Sequence, residues 1–315
     1  MPAIATSMKV VRIDEFGGLE VLHEQTVKVP APGNGEVLVK NEAAGVNPVD
    51  YKIRGGKYPA VKQDKLPYVL GRDVSGTVVQ CGPSVKSFAD GDALFAMPGI
   101  DRGGYAQYVL IKEDEAARRP KSLDAIAAGA VPLAALTAWQ GLFRHGRLQK
   151  GQRVLIHGGS GGVGHFAVQF AKAKGAYVAT TVSSQHADFV RKLGADQVID
   201  YKAQRFEDEL DDVDMVFDLV AGETQDRSWS VLKRGGIMVS TLTEPSREKA
   251  AEHGARGMRF LVEESGEDLA EIGRLIEAGQ VRPIVAKTFS LEKAADAQRF
   301  LEQEHPAGKV VLAIS

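Results

Sequence analysis

Apolar positions along the chain follow two rhythms. Over residues 8–122 they alternate or run at strand length, at 9–13, 36–41, 76–80 and 105–111. Gly, Pro, Asn and Asp punctuate these runs, as in Pro30-Ala31-Pro32-Gly33-Asn34-Gly35 and Ala89-Asp90-Gly91-Asp92. Many short strands of this kind predict a rolled antiparallel sheet or partial barrel. From Ser122 the rhythm changes. Residues 123–142 are Ala-rich and helical, interrupted at Pro132. Strand-type runs then alternate with helical stripes: strands at 154–157, 177–182, 197–199, 213–217 and 237–241, a shorter one near 259–262, and helices at 224–233 and 269–278. Such alternation predicts a parallel, doubly wound sheet. After Pro283 the pattern reads strand, helix (291–304), strand (309–314), a tail that returns to complete the first domain. The expected fold is α/β in two domains, 1–122 with 285–315, and 123–284.

The second domain is organised around 153–175, RVLIHGGSGGVGHFAVQFAKAKG. A strand-like run crosses five glycines in seven residues, Gly158 to Gly164. A helical stripe follows, Val163, Phe166, Ala167, Phe170 and Ala171, and Gly175 stops it. Strand, glycine turn and helix together suit a pyrophosphate, which needs close approach to free backbone N–H groups at a helix N-terminus. The spacing is Gly158-x-x-Gly161-x-x-Gly164 rather than G-x-G-x-x-G. A turn built only for tight packing is the alternative.

About twenty residues past the glycines, NAD-binding proteins place an Asp or Glu on the ribose hydroxyls. Here Thr181, Val182, Ser183 and Ser184 stand there, with His186 and Arg191 close behind. Hydroxyls and cationic groups in place of a carboxylate favour NADPH over NADH. Alternatively, Ser183 and Ser184 merely cap the following helix.

Two stretches of the first domain are unusual for plain turns, 43–59 (AAGVNPVDYKIRGGKYP) and 67–76 (PYVLGRDVSG). Both carry polar groups of the kind an active-site rim offers. Composition narrows the field further. Hydrophobic content is 44%, charged content 25% and net charge -2, which leaves no basic footprint for nucleic acid or a membrane surface. The lone Cys81 excludes an intramolecular disulfide and any zinc site needing two thiolates from this chain. The acidic run 207–214 reads as a solvated turn of helix, not a metal site. With no signal-like apolar segment near the start, a cytoplasmic location is expected.

These stretches resemble the zinc-independent branch of the medium-chain dehydrogenase/reductases, the quinone oxidoreductase group. AAGVNPVDYKIRGGKYP, PYVLGRDVSGTV, GGYAQYVLI, HGGSGGVGHFAVQFAKAKG, LGADQVIDY and AGKVVLAI carry the likeness over nearly the whole length. The resemblance implies a GroES-like catalytic domain from both ends of the chain, a Rossmann domain between them, an NADPH site and a homodimer. Zinc-dependent relatives carry a catalytic Cys, a Gly-His-Glu and a second Cys, and the matching places here are Asn47, Gly71-Arg72-Asp73 and the region of Leu133. No metal is therefore expected.

Carried over residue by residue, the resemblance places Asn47 near the nicotinamide and Thr137 near the phosphates or nicotinamide ribose, although Thr137 also reads as an ordinary helical hydroxyl. Gly158, Gly161, Gly162, Val163 and Gly164 form the pyrophosphate turn. Ser183, His186 and Tyr201, with Arg191 close by, surround the adenosine 2′-phosphate. Thr241 and Leu242 line the far side of the nicotinamide, and Lys309 closes the cleft. His186 stands where some relatives place Lys.

Without a metal to polarise a carbonyl, hydride addition to a quinone or an electron-poor C=C is the easier chemistry, with developing negative charge met by hydrogen-bond donors. Asn47 and Lys52 are the expected donors, and Tyr51 and Tyr58 the pocket walls and proton donors. Lys52 also reads as a surface lysine or a cofactor contact. Asp50 is expected to be structural, since a carboxylate would oppose a developing anion. The rival reading is an NADPH-binding sensor or structural protein with little turnover.

Overall fold

A computed structural model describes residues 4–315. Backbone contacts divide the chain into two compact units. The first holds everything up to Leu133, then Glu264–Ala278 and Pro283–Ser315; the second holds Ala134–Glu263 and Gly279–Arg282.

The first unit is mostly antiparallel sheet. Strand Glu36–Val46 is its spine, pairing with Val74–Cys81, Tyr108–Lys112 and Lys309–Ala313. The tail strand Val285–Ser290 adds in parallel to Lys309–Ala313 at one edge. Ala93–Ala96 and Ala116–Arg118 extend the other. A smaller sheet pairs Ser7–Ile13 with His23–Lys28 and Tyr68–Val69. Thus the predicted return of the tail places 309–313 inside the first unit's sheet, one strand in from its edge.

The short helix Pro48–Arg54 leaves the spine directly. Pro48 suits the first helical position, where its missing N–H costs nothing. Its buried Arg54 donates to Gln298 at 2.6 Å and pairs with Glu302 at 3.2 Å on helix Ala294–Glu304, which fixes the helix against its neighbour.

In the second unit six parallel strands run in the order Gln197–Asp200, Tyr177–Val182, Arg153–His157, Val213–Asp218, Leu232–Ser240, Arg256–Arg259. The first strand in sequence lies in the middle, and successive strands are added first to one side of it and then to the other. Its carboxyl end is therefore the topological switch point, where open α/β sheets bind ligands.

Element boundaries depart from the sequence pattern in particular places. The last strand lies at Arg256–Arg259 rather than near 259–262. The helix expected over 224–233 ends earlier, as Gly222–Arg227 plus a 3-10 turn Ser228–Val231. Lys233, expected to end that helix, and the Arg234-Gly235-Gly236 after it, expected as the helix stop, lie within strand Leu232–Ser240, whose register shifts there. Helix Gly266–Glu277 groups with the first unit, packed on Ala116–Arg118, whereas its amphipathic stripe placed it with the parallel sheet. The break at Pro132 is real, and helix Pro132–Trp139 begins on it.

Candidate functional site

The glycine turn occupies the switch point. Gly158 has φ +73°, a conformation that side chains resist, so it permits the reversal out of strand Arg153–His157. Helix Gly164–Ala173 starts at the far side of the turn, capped by Val163. A Cβ on Gly164 would collide with the carbonyl of Gly158 and lie 2.8 Å from the Gly159 Cα, so this glycine serves close packing of helix on turn. Gly161 is different. A Cβ there would meet nothing nearer than 3.5 Å. The fold does not require glycine at 161, and its backbone is left bare towards open space.

A buried hydrogen-bond chain underlies the turn. The amides of Gly158 and Gly159 donate to the Thr181 carbonyl at 3.1 and 3.4 Å. His157, fully buried, lies 3.0 Å from Thr181 Oγ1 through Nδ1 and 2.8 Å from Ser228 Oγ through Nε2. Ser228 donates its own hydroxyl proton to the Thr224 carbonyl at 2.6 Å. It must therefore accept from His157, which fixes the Nε2–H tautomer and leaves Nδ1 to accept from Thr181. Burial pushes the imidazole down to about 4, so His157 stays neutral at physiological pH.

At the end of strand Tyr177–Val182, Ser183 is buried and makes no side-chain capping bond, contrary to the capping alternative. Ser160 of the glycine turn lies 3.3 Å from His186 Nδ1. Tyr201 is exposed, and its amide donates to the Val182 carbonyl at 3.2 Å. The turn, His186 and Tyr201 thus gather around one strand end. Arg191 turns instead to Asp188, in an exposed pair at 2.9 Å. Asp200, opposite Val182, accepts from the Lys202 amide at 3.0 Å.

On the other side of the switch point, buried Asp218 accepts from the amides of Val220 and Ala221 at 3.0 and 2.8 Å, from Gln225 at 2.9 Å and from Ser240 at 2.9 Å. This holds Ala221 at φ 66°, ψ -165°, a conformation almost restricted to glycine. The same carboxylate shapes the loop facing the turn, since Val220 is the nearest atom to a Cβ on Gly158, at 3.6 Å. Thr241 is half-buried and Leu242 exposed just beyond Ser240. Thr137 is buried on helix Pro132–Trp139.

In the first unit a second cluster forms where the spine strand meets helix Pro48–Arg54. Asn47 donates its side-chain Nδ2 to Asp73 Oδ2 at 2.8 Å and to the Gly45 carbonyl at 3.3 Å. Its Oδ1 accepts a short hydrogen bond from Lys309 Nζ. Lys309 also reaches Asp73 Oδ2 at 3.3 Å and the Val46 carbonyl at 3.5 Å. The second oxygen of Asp73 accepts from the Leu133 amide at 2.5 Å. Asn47, Asp73 and Lys309 are 2%, 0% and 3% exposed, so the three interact away from water.

This arrangement alters the expected role of Asn47. Both of its amide N–H groups are consumed inside the protein, so the geometry does not offer it as a donor to a substrate oxygen. Lys309, expected to close a cleft, is a buried partner of Asn47. Asp73, Leu133 and Lys309 lie 26 to 262 residues from their partners, and residue pattern alone carried no signal for the cluster.

Asp50 lies beside it, fully buried, accepting from the Asn47 amide at 2.8 Å, the Gly71 amide at 3.2 Å and the Tyr105 hydroxyl at 3.1 Å. These bonds cap the helix and agree with a structural role. Burial drives its carboxyl up to about 7, and the Asp73 charge adds to the rise. On the same helix Lys52 is half-buried, and its ammonium has no ion-pair partner among the described residues. Tyr51 is half-buried, its phenol pushed up by burial and then by Glu302. Tyr58 packs on the core built from Ile53, Val61 and Tyr68. No hydrogen bond joins Asn47, Tyr51, Lys52 and Tyr58 to one another.

A β-rich unit assembled from both ends of a chain, together with a doubly wound sheet that carries a glycine turn at its switch point, defines a class of nucleotide-dependent oxidoreductases. Residues 33–121 match the family described as an alcohol dehydrogenase GroES-like domain, and 193–312 match one described as a zinc-binding dehydrogenase. The chain is 35% identical to the mitochondrial NAD(P)H oxidoreductase RTN4IP1 of Danio rerio, over 98% of this chain and 92% of that one. It is 37% identical to the chloroplastic NADPH-dependent alkenal/one oxidoreductase of Arabidopsis thaliana, over 98% and 80%. The solved quinone oxidoreductase of Coxiella burnetii superposes with a TM-score of 0.92 at 35% identity, covering 98% of this chain and all of that one. The chain belongs to the medium-chain dehydrogenase/reductases, in their quinone oxidoreductase group. It is an oxidoreductase that uses a nicotinamide cofactor.

The residues fit that cofactor: Gly161 leaves a cradle that a Cβ would enter, and the turn presents its backbone at a helix N-terminus. They do not fit the zinc that one family description implies. Zinc takes thiolate, imidazole or carboxylate, and the matching places hold an Asn amide, Asp73 and Leu133. Both oxygens of Asp73 are already engaged. Among the described residues no three His, Cys, Asp or Glu side chains converge as a metal site.

Proposed function

We propose that the protein is an NADPH-dependent, metal-independent reductase of quinones and of C=C bonds conjugated to a carbonyl. The observation that carries this reading is the strand end beside the glycine turn. There Ser160 and His186 pair next to buried Ser183, where an NAD-specific site would keep a ribose-binding carboxylate. The name of the Arabidopsis relative, an NADPH-dependent alkenal/one oxidoreductase, points the same way.

In this reading the Gly158–Gly164 backbone, with Gly161, Gly162 and Val163, holds the pyrophosphate. Ser183, His186 and Tyr201 hold the 2′-phosphate, with Arg191 as an outer cation. Thr137, Thr241 and Leu242 border the nicotinamide half. Bound there, the nicotinamide supplies a hydride. Lys52 then meets the negative charge that develops on the substrate oxygen, as the one cation of its helix without an ion-pair partner, while Arg54 is committed to Glu302. Tyr51 and Tyr58 flank it. Asn47 serves by fixing the start of the helix. The first unit forms the catalytic part and the second unit the cofactor part of this scheme. The edge strand Arg256–Arg259, paired on one side only, is a suitable surface for a homodimer. A cytoplasmic setting completes the scheme, and no helix among the described residues is long and apolar enough to cross a membrane.

The test is reduced-nicotinamide consumption with benzoquinone, phenanthrenequinone and a small enone, with NADPH and NADH in parallel. Lys52→Ala is expected to lower NADPH-dependent turnover at least about tenfold while NADPH binding persists, the size of loss that follows removal of one charge-stabilising donor. Unchanged turnover removes Lys52 from the mechanism. NADPH binding with no turnover of any acceptor would replace the reductase reading with a nucleotide-binding sensor.

A further inference from the structure

The three places that match the zinc ligands of metal-dependent relatives are joined here by something other than a metal. Asn47 touches Asp73, Asp73 touches the Leu133 amide, and a single ammonium enters between Asn47 and Asp73. The donor count closes. Lys309 has three N–H groups and three oxygen neighbours: Asn47 Oδ1, Asp73 Oδ2 and the Val46 carbonyl. Asp73 is fully buried, and a buried carboxylate requires a compensating cation. The Lys309 ammonium is the only positive group bonded to it among the described residues.

We infer that Lys309 is a built-in cation: its ammonium fills an oxygen-lined cation site on Asp73, Asn47 and Val46 and thereby keeps divalent metal out. The side chain arrives from strand Lys309–Ala313, which pairs with Glu36–Val46 so that Val310 faces Val46. Position 309 is thus held by sheet register, and the ammonium is delivered to the site by the fold. All three of its protons are used, so it acts on the protein and not on a substrate. The inference does not rest on the proposed reaction, and a failure of either leaves the other standing.

Shortening the side chain empties the cage and leaves oxygen donors, which suit a hard divalent ion such as Mn2+. Full-length wild type, Lys309→Ala and Lys309→Ala/Asp73→Asn are titrated with MnCl2 alone. Free-Mn2+ electron paramagnetic resonance and thermal melting are followed together. Lys309→Ala is expected to take up one equivalent of Mn2+ and to melt roughly 3 °C higher or more at saturating metal. Wild type and the double variant are expected to do neither. Mn2+ uptake by wild type, or none by a folded Lys309→Ala, overturns the inference.

Should Lys309→Ala not fold, acylation of wild-type lysines by an amine-reactive ester decides. Lys309 is expected to be modified at least tenfold more slowly than exposed Lys57, and equal rates would show that the cage is not closed.

Discussion

Gly161→Ala separates a cofactor cradle from a turn that is merely tightly packed. A Cβ at 161 finds its nearest neighbour, the Gly158 carbonyl, at 3.5 Å, an ordinary contact, and the residue is not in the left-handed region. The fold therefore loses nothing. Replacing glycine by alanine in a compatible conformation even adds about 0.4–1 kcal/mol by restricting the unfolded chain. The cofactor meets the opposite consequence. The new methyl occupies the space over the turn where a phosphate must approach backbone N–H groups. Losing one hydrogen bond to a charged group costs about 1.5–3 kcal/mol, which is roughly a ten- to hundredfold rise in Kd. Thermal melting of the apoprotein and fluorescence titration with NADPH measure the two effects separately. The expected result is an unchanged or slightly higher Tm beside weakened NADPH binding. An unchanged NADPH Kd would refute the reasoning and leave the turn a packing device. Gly164→Ala is the internal control, because its collision with the Gly158 carbonyl must cost the fold as well.

Two further outcomes follow from the same physics. Ala221→Gly relieves a backbone at φ 66°, ψ -165°, where strain of about 1–3 kcal/mol outweighs the entropy glycine adds to the unfolded chain. Its Tm is expected to rise by a few degrees, and calorimetry showing a fall would mean that Asp218 no longer holds the loop. For Asp50 the folded carboxyl stands at about 7 against an ordinary 3.8. Its ionisation thus opposes folding, and the stability it withholds is absent below pH 4 and grows until pH 7, up to about 4 kcal/mol. The stability of wild type relative to Asp50→Asn should therefore fall between pH 4 and pH 7. A pH-independent difference in denaturant unfolding would contradict this.

The elements that could be read from the chain were those with local causes. Alternating runs announced the strands, Pro132 a break in the helical stretch, and the glycines a turn at a helix N-terminus. Local pattern failed where a signal was ambiguous. Arg234 to Gly236 has the composition of a helix stop yet lies in a strand, because the register shift beside Val213 absorbs it. The amphipathic stripe of Gly266–Glu277 showed a helix and not which sheet it would cover. At the site, Asn47 was legible as a polar residue of the unusual stretch 43–59, but the helix that follows it and its commitment to Asp73 and Lys309 were not. That commitment depends on which strands pair, a matter of contacts across hundreds of residues. His157 went unread for a similar reason, since its tautomer is set by Ser228, 71 residues away.

The placement of Lys309–Ala313 between Glu36–Val46 and Val285–Ser290 has a consequence for synthesis. The nucleotide-binding sheet is continuous from Arg153 to Arg259, so a ribosome releases all six of its strands before the tail exists. The other sheet must wait with its spine strand open at residues 43–46, and with Asp73 lacking its cation, until residue 309 emerges. On a translating chain the cofactor half can be finished while the half that carries Lys52 is still incomplete. The unpaired end of that strand at residues 43–46 is then the surface that a nascent-chain chaperone would have to shield.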